Sequence, residues 1–373
     1  MPRTFLVARH AFALVLALAT CLPATADILV GQTAGFTGPV AAGVKETTDG
    51  ALLYIDSVNK KGGVNGQQIK LISLDDKFLP ANAAENARKL IEDDHVIALF
   101  LTRGTPHTQA VLPLVKKYNV PLVAPSTGAM VLHEPVIPQV FNVRATYQRE
   151  AEKAIDYLTS IGVTRIAILR TDDTFGEDAL VGAMRGMADV KLKPVVLDKF
   201  PRMKPDLKPL ADAVVKADAQ SVLVIGSSQV VGNALKAIRA AGSTAQVLTL
   251  SNNASEGFVE SLGPAGAGVI VSQVFPYERS VNYLLVKEAR DLMKTANAGA
   301  LSPQMLEGYA GAKVLVEGLR RAGPNPTREK LLAALDNLHY DIGGLQVDYS
   351  PTDHTGLDFA DLSIIGSDGK FRR

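Results

Sequence analysis

The chain has 373 residues, with 39 lysines and arginines set against 38 aspartates and glutamates, one cysteine and no tryptophan. That length supplies apolar surface for two domains of ordinary size, and so even a charge balance gives no electrostatic reason to expect nucleic acid or an anionic membrane as partner. A disulfide framework is excluded by the single Cys21.

In chain order, Arg3 and Arg9 precede an apolar run from Ala11 to Ala19, and Ala24-Thr25-Ala26 presents small residues at the two positions a signal peptidase reads. This pattern predicts a cleavable export signal over residues 1–26. Cys21 falls inside it; Thr20 stands where a lipid-attachment motif has Gly, Ala or Ser, so a cysteine discarded with the leader is expected. No later apolar run is suited to span a bilayer, because the longest helices carry charges such as Lys313, Glu317 and Arg320.

The mature region alternates strand and helix. A strand over Ile28–Thr33 leads to a helix from about Ala42 to Asn59, on which Val44, Ala51, Leu52, Ile55 and Val58 recur at helical spacing. Gly62 and Gly63 supply the positive φ that ends it, and Asn65-Gly66 suits a tight turn into a strand over Ile69–Leu74. Strands follow at Val96–Phe100, Leu122–Ala124, Ile166–Leu169, Val195–Phe200, Val222–Ile225, Val247–Leu250 and Val269–Gln273, with helices between most of them. Such continuous apolar strands imply parallel sheets covered on both faces. Helices near Ser280–Ala296, Ser302–Arg321 and Thr327–Leu335 then arrive without strands between them, followed by short β segments at Gly344–Tyr349 and Leu362–Gly366.

The stretch GALLYIDSVNKKGGVNGQQIKLISLDD, Gly50 to Asp76, followed by LPANAAENARKLIEDDHVIALF, resembles the start of the branched-chain amino-acid binding proteins of ABC transporters, the type I periplasmic binding proteins. The resemblance runs over nearly the whole mature chain. It implies an α/β fold of two lobes, each a mainly parallel sheet flanked by helices, with hinge crossings near Arg144, Pro276 and Gly344. Lobe 1 is then residues 27–144 with 277–344, and lobe 2 is residues 145–276 with 345–373. A monomeric periplasmic receptor is implied, which carries a small-molecule ligand, an amino acid or related small carboxylate, to an inner-membrane ABC permease without any cofactor.

In open α/β sheets the loops at the carboxyl ends of the strands face the crevice, where helix N-termini present unpaired N–H groups. Thr102-Arg103-Gly104-Thr105 is such a loop, with Pro106 suited to a first helical turn and Thr105 expected as the N-cap. The resemblance implies that Gly104 and Thr105 hold a ligand carboxylate, that Ser126, Thr127 and Gly128 in the next loop add backbone groups and a hydroxyl, and that Phe175 closes on the ligand from the opposite lobe. Ser227, Ser228 and Asn252 line up with two further contact loops. Each of these has a plain alternative: a cap, a turn, or a core aromatic at a helix start.

The chain departs from that pattern at the loop of Ser251 and Asn252, where the family usually has an acidic residue to pair a ligand ammonium, and at Ser227-Ser228, where it usually has an aromatic one. An ammonium buried without a counter-charge costs several kcal/mol. Either Asp172 or Glu307 substitutes, carbonyl oxygens share the charge, or the ligand lacks an amine, as an aromatic carboxylate would. Arg103 is the one cation expected at the crevice mouth, for a second ligand carboxylate. Met305 and Leu306 are candidates to line an apolar side-chain pocket, with core packing as their alternative. A sensory receptor of the same fold is the competing function.

Enzyme readings fail on spacing. Gly31, Gly35 and Gly38 lie four and then three apart, against the two and three of a dinucleotide fingerprint, and Gly226-Ser227-Ser228-Gln229-Val230 lacks the second glycine of a nucleophile elbow. The histidines at 95, 107, 133, 339 and 354 form no pair at metal-ligand spacing, so no zinc site is expected.

Overall fold

A computed structural model describes residues 26–373, so the leader and Cys21 lie outside the described residues. The first unit runs β1 (Ile28–Ala34), α1 (Ala41–Asn59), β2 (Ile69–Asp75), α2 (Pro80–Glu92), β3 (Ala98–Phe100), α3 (Thr105–Lys117), β4 (Leu122–Val123) and β5 (Val140–Phe141). Its five strands are all parallel, in the order β2-β1-β3-β4-β5. The punctuation read from sequence is present: Gly62 and Gly63 have φ of 100° and 77°, and Asn65 and Gly66 have φ of 50° and 83°. Two positive angles in succession make the tight turn bridged by Val64 and Gln67.

The second unit repeats the plan with α4 (Tyr147–Ser160), β6 (Ile166–Thr171), α5 (Thr174–Asp189), β7 (Val196–Phe200), α6 (Lys208–Lys216), β8 (Ser221–Ile225), α7 (Ser228–Ala240), β9 (Gln246–Thr249), α8 (Glu256–Leu262) and β10 (Ile270–Gln273). The sequence reading lacked α8, a helix too short to carry a strong period. The chain ends with α9 (Leu284–Ala296), α10 (Pro303–Ala322), α11 (Arg328–Leu335), the hairpin β11 (His339–Asp341) and β12 (Gln346–Asp348), then β13 (Asp361–Ile365) and β14 (Phe371–Arg372). The second sheet is ordered β14-β13-β10-β9-β8-β6-β7, with β13 and β14 antiparallel at its edge. Val347, Tyr349 and Leu357, which the sequence reading put beyond the third crossing, belong to the apolar cluster of the first unit. Tyr349 donates to the Asn142 carbonyl at 2.6 Å, and Asp361–Ile365 is the first segment to rejoin the second sheet.

Both sheets place their first strand between their second and third, β1 between β2 and β3, and β6 between β7 and β8. Connections leave opposite sides of such a strand, which opens a crevice at its carboxyl end. The two crevices face each other, and the loops after β3, β4, β6, β8 and β9 meet there.

Helix α10 is buried nearly all round, so its residues must mesh closely with α1. Glycine makes this possible, since a Cβ on Gly308 would lie 1.7 Å from the Thr47 carbonyl oxygen and one on Gly50 would lie 2.0 Å from that of Met305. Met305 and Leu306 are consequently part of the first core cluster. The substitution Gly308→Ala must push two backbones apart and is expected to lower stability by about 1–3 kcal/mol or more, read as a fall in thermal midpoint. Gly232→Ala, which meets only the flexible tip of Leu262 at 3.3 Å, should leave the midpoint unchanged or raise it.

Candidate functional site

The loop after β3 turns sharply, with Leu101 at φ 52° and Gly104 at φ 92°. Gly104, not Thr105, is the N-cap of α3; the helix begins at Thr105 with no side-chain cap. A Cβ at Gly104 would meet His107 Nδ1 at 2.9 Å, so glycine is required by space as well as by φ. Released from capping, the Thr105 hydroxyl lies 2.8 Å from that of Thr127. The two loops are thereby tied together, helped by the Ser126 amide, which donates to the Thr102 carbonyl at 2.7 Å.

Arg103, expected at the mouth, is instead 4% exposed. Its Nη1 donates to Ser126 Oγ at 2.8 Å and its Nη2 to the Asn252 carbonyl, on the opposite unit, at 2.6 Å. Among the described residues no carboxylate is ion-paired with it. The Ser126 hydroxyl donates onward to Glu307 Oε1 at 2.6 Å, and Gln304 Nε2 donates to Glu307 Oε2 at 2.6 Å. Arg103, Ser126 and Glu307 therefore form a charge-hydroxyl-charge chain. Glycine at position 43 of α1 keeps this chain uncovered, for a Cβ there would sit 3.4 Å from both Arg103 Nη2 and Gln304 Oε1.

A second buried pair was not foreseen. Arg144, 2% exposed at the first crossing, is bonded to Glu150 of α4 and donates to Ser251 Oγ at 2.9 Å, while its Nη1 stands 4.0 Å from Glu307. Glu150 also accepts the Ser251 amide at 2.8 Å and the Ser272 hydroxyl. The guanidinium of Arg144 lies over the Tyr147 ring, 4.6 Å from its centroid. Arg144 and Glu150 are six residues apart, a spacing with no local meaning, and Glu150 stands among Gln148, Arg149, Glu152 and Lys153, so nothing in the sequence marks the pair.

The remaining sequence candidates divide. Asn252 is buried, with Nδ2 donating to the Gly226 carbonyl at 2.9 Å and no hydrogen-bond partner for Oδ1. Ser227 is the N-cap of α7, with its hydroxyl likewise buried and unpartnered, whereas Ser228 donates to Asn253 at 2.9 Å. Phe175 packs within the second unit, its ring 4.7 Å from that of Tyr147. Gly128 faces the first crossing, where a Cβ would meet the Ala145 carbonyl oxygen at 2.6 Å. Asp172 is half-exposed and paired with Lys199 at 3.1 Å, outside the buried cluster.

An aromatic wall that the sequence reading lacked stands beside Gly104. Phe78 stacks on His107 with centroids 4.4 Å apart, and Arg202 of the second unit covers Phe78 at 5.0 Å while pairing with Asp173 at 2.6 Å. Burial, reinforced by Arg202, pushes the His107 imidazole down to about 4. A neutral buried imidazole whose unfolded value is higher contributes stability that is complete above about pH 6.5 and is lost progressively as pH falls toward 4, about 3 kcal/mol in all. The ring-proton NMR titration of His107 is therefore expected to have its midpoint near 4; a midpoint near 6.5 would contradict this packing.

Comparison with known proteins fits this architecture. The profile of a family described as periplasmic binding protein matches residues 27–361. A crystal structure of a substrate-binding periplasmic protein from Ralstonia solanacearum is 32% identical, superposes with a TM-score of 0.84, and the match covers 92% of this chain and 99% of that one. A possible leucine/isoleucine/valine-binding protein from Rhodopirellula baltica SH 1 is 25% identical with a TM-score of 0.87, covering 95% and 98% of the two chains. A Leu/Ile/Val-binding protein of Rhizobium johnstonii is 25% identical over 328 residues, 86% of this chain and 87% of the other. On this fold, with paired crevices and a profile match across both units, the chain belongs to the periplasmic binding protein family.

Proposed function

We propose that this protein is the solute receptor of an ABC importer, exported to the periplasm, and that its ligand is a small amino acid held as a zwitterion between the two lobes. The observation that carries this reading is Glu307. It is a carboxylate 4% exposed in the seam, one hydroxyl away from an arginine that lacks an acidic partner. A ligand carboxylate is suited to Arg103 with the hydroxyls of Thr105 and Ser126, and a ligand ammonium to Glu307. Glu307 thus replaces the acidic residue missing from the loop of Ser251 and Asn252, and Asp172, turned to Lys199, does not.

Closure follows from contacts made to both lobes, because a ligand that binds the open and closed forms equally shifts neither population. Arg103 already reaches across to Asn252, and the unpartnered Ser227 hydroxyl and Asn252 amide oxygen supply further groups from the second lobe. Receptor homologues named for leucine, isoleucine and valine support the ligand class.

A thermal-shift panel of amino acids and the matching acids without the amine, followed by calorimetry on the hits, tests the assignment. The amino acid should bind at least tenfold more tightly than its deaminated partner, and Glu307→Gln should remove most of that margin, as one charge-assisted bond of about 1.5–3 kcal/mol implies. Equal binding of the acid without the amine would overturn the zwitterion and leave a simple carboxylate as ligand. Replacing Thr105 by Val together with Ser126 by Ala should weaken every carboxylate ligand by roughly tenfold or more.

A further inference from the structure

The two units also meet one turn farther along α1 from Gly43. Glu46 Oε2 accepts the Glu256 amide at 3.0 Å and Oε1 accepts the Gly257 amide at 2.9 Å, both at the start of α8 on the opposite unit. The Ser302 hydroxyl, on the same unit as Glu46, donates to Oε2 at 2.6 Å and holds the carboxylate in place. Both oxygens thus face protein donors, two of them main-chain amides of the opposite unit. Beside this contact Ala42 approaches Gly257 so closely that a Cβ on Gly257 would stand 2.5 Å from that of Ala42.

Resting on the two-lobe closure proposed above, we infer that Glu46 is a clasp that sets ligand affinity without touching the ligand. It bonds α8 only when the lobes are together, and Gly257 is the seat that lets them approach. On opening, the two amides and the carboxylate return to water at little cost. On closing without Glu46, the amides lose water and gain no acceptor, so removing it acts on the closed state alone. Since ligand is held by the closed form, any loss in the closure equilibrium passes directly into apparent affinity. A methyl group at position 257 is a wedge in the closed form and harmless in the open one. The carboxylate and the seat are independent features of one seam, and each can be changed by itself.

The test reads closure directly. At a separate contact between the lobes, the Thr174 hydroxyl donates to Gln109 Oε1 at 2.6 Å. In a Cys21→Ser background, Gln109→Cys with Thr174→Cys places two thiols that a short bismaleimide joins only when the lobes close. Cross-linking should slow on the order of tenfold on adding Glu46→Ala, and similarly on adding Gly257→Ala, while Lys45→Ala, which removes only an exposed pair with Asp49, should leave the rate unchanged. Unaltered rates in both the Glu46 and Gly257 variants would overturn the clasp. Absence of cross-linking in the parent pair, both alone and with the tightest amino acid of the binding panel added, would instead overturn closure itself. Gly257→Ala keeps the test informative if Glu46→Ala folds poorly.

Discussion

A charge taken out of water must find a partner or cost several kcal/mol, and this protein buries Arg103, Arg144, Glu150 and Glu307 in the seam between its sheets. That requirement orders the surroundings. Arg144 is neutralised by Glu150, whose other oxygen takes the Ser251 amide and the Ser272 hydroxyl, so the first crossing is fastened to the second sheet. Arg103 and Glu307 are linked only through the Ser126 hydroxyl. Arg144 Nη1, 4.0 Å from Glu307 and without a hydrogen bond of its own, stands beside them.

The scaffold makes this arrangement possible by using one plan twice. Each sheet puts its first strand inside its second and third, which aims the loops after β3 and β8 into facing crevices. Glycine then sets how near the parts can come: Gly104 gives the turn that brings Arg103 inward, Gly43 leaves the charged chain uncovered, and Gly50 with Gly308 lets α10 lie against α1 and deliver Glu307.

Much of the scaffold was legible in the sequence, because its signals are local. Apolar strands, the Gly62-Gly63 stop and the Asn65-Gly66 turn each depend on a few adjacent residues, and they stand where their chemistry predicts. The loops holding Gly104, Thr105, Ser126 and Asn252 were legible for the same reason: they follow strands. The side-chain roles were less so. Thr105 has the preferred identity of an N-cap, yet its partner is Thr127, 22 residues away, and the cap passes to Gly104. Glu150 and Arg144 find each other through the fold, and Arg103 with Glu307 through a serine on a third loop; no periodicity records such pairings. Helix α8 escaped notice because seven residues are too few to show a period, and with it went the contact to Glu46.

The central claim is that the seam between the lobes holds a zwitterion by opposed charges. A crystal structure of the protein with the tightest amino acid from the binding panel tests it most directly. The account predicts the ligand carboxylate against Arg103 and the Ser126 hydroxyl, with the ammonium within hydrogen-bond distance of Glu307. A ligand seated outside the seam, or one whose ammonium is paired elsewhere while Glu307 keeps only Ser126 and Gln304, would contradict it.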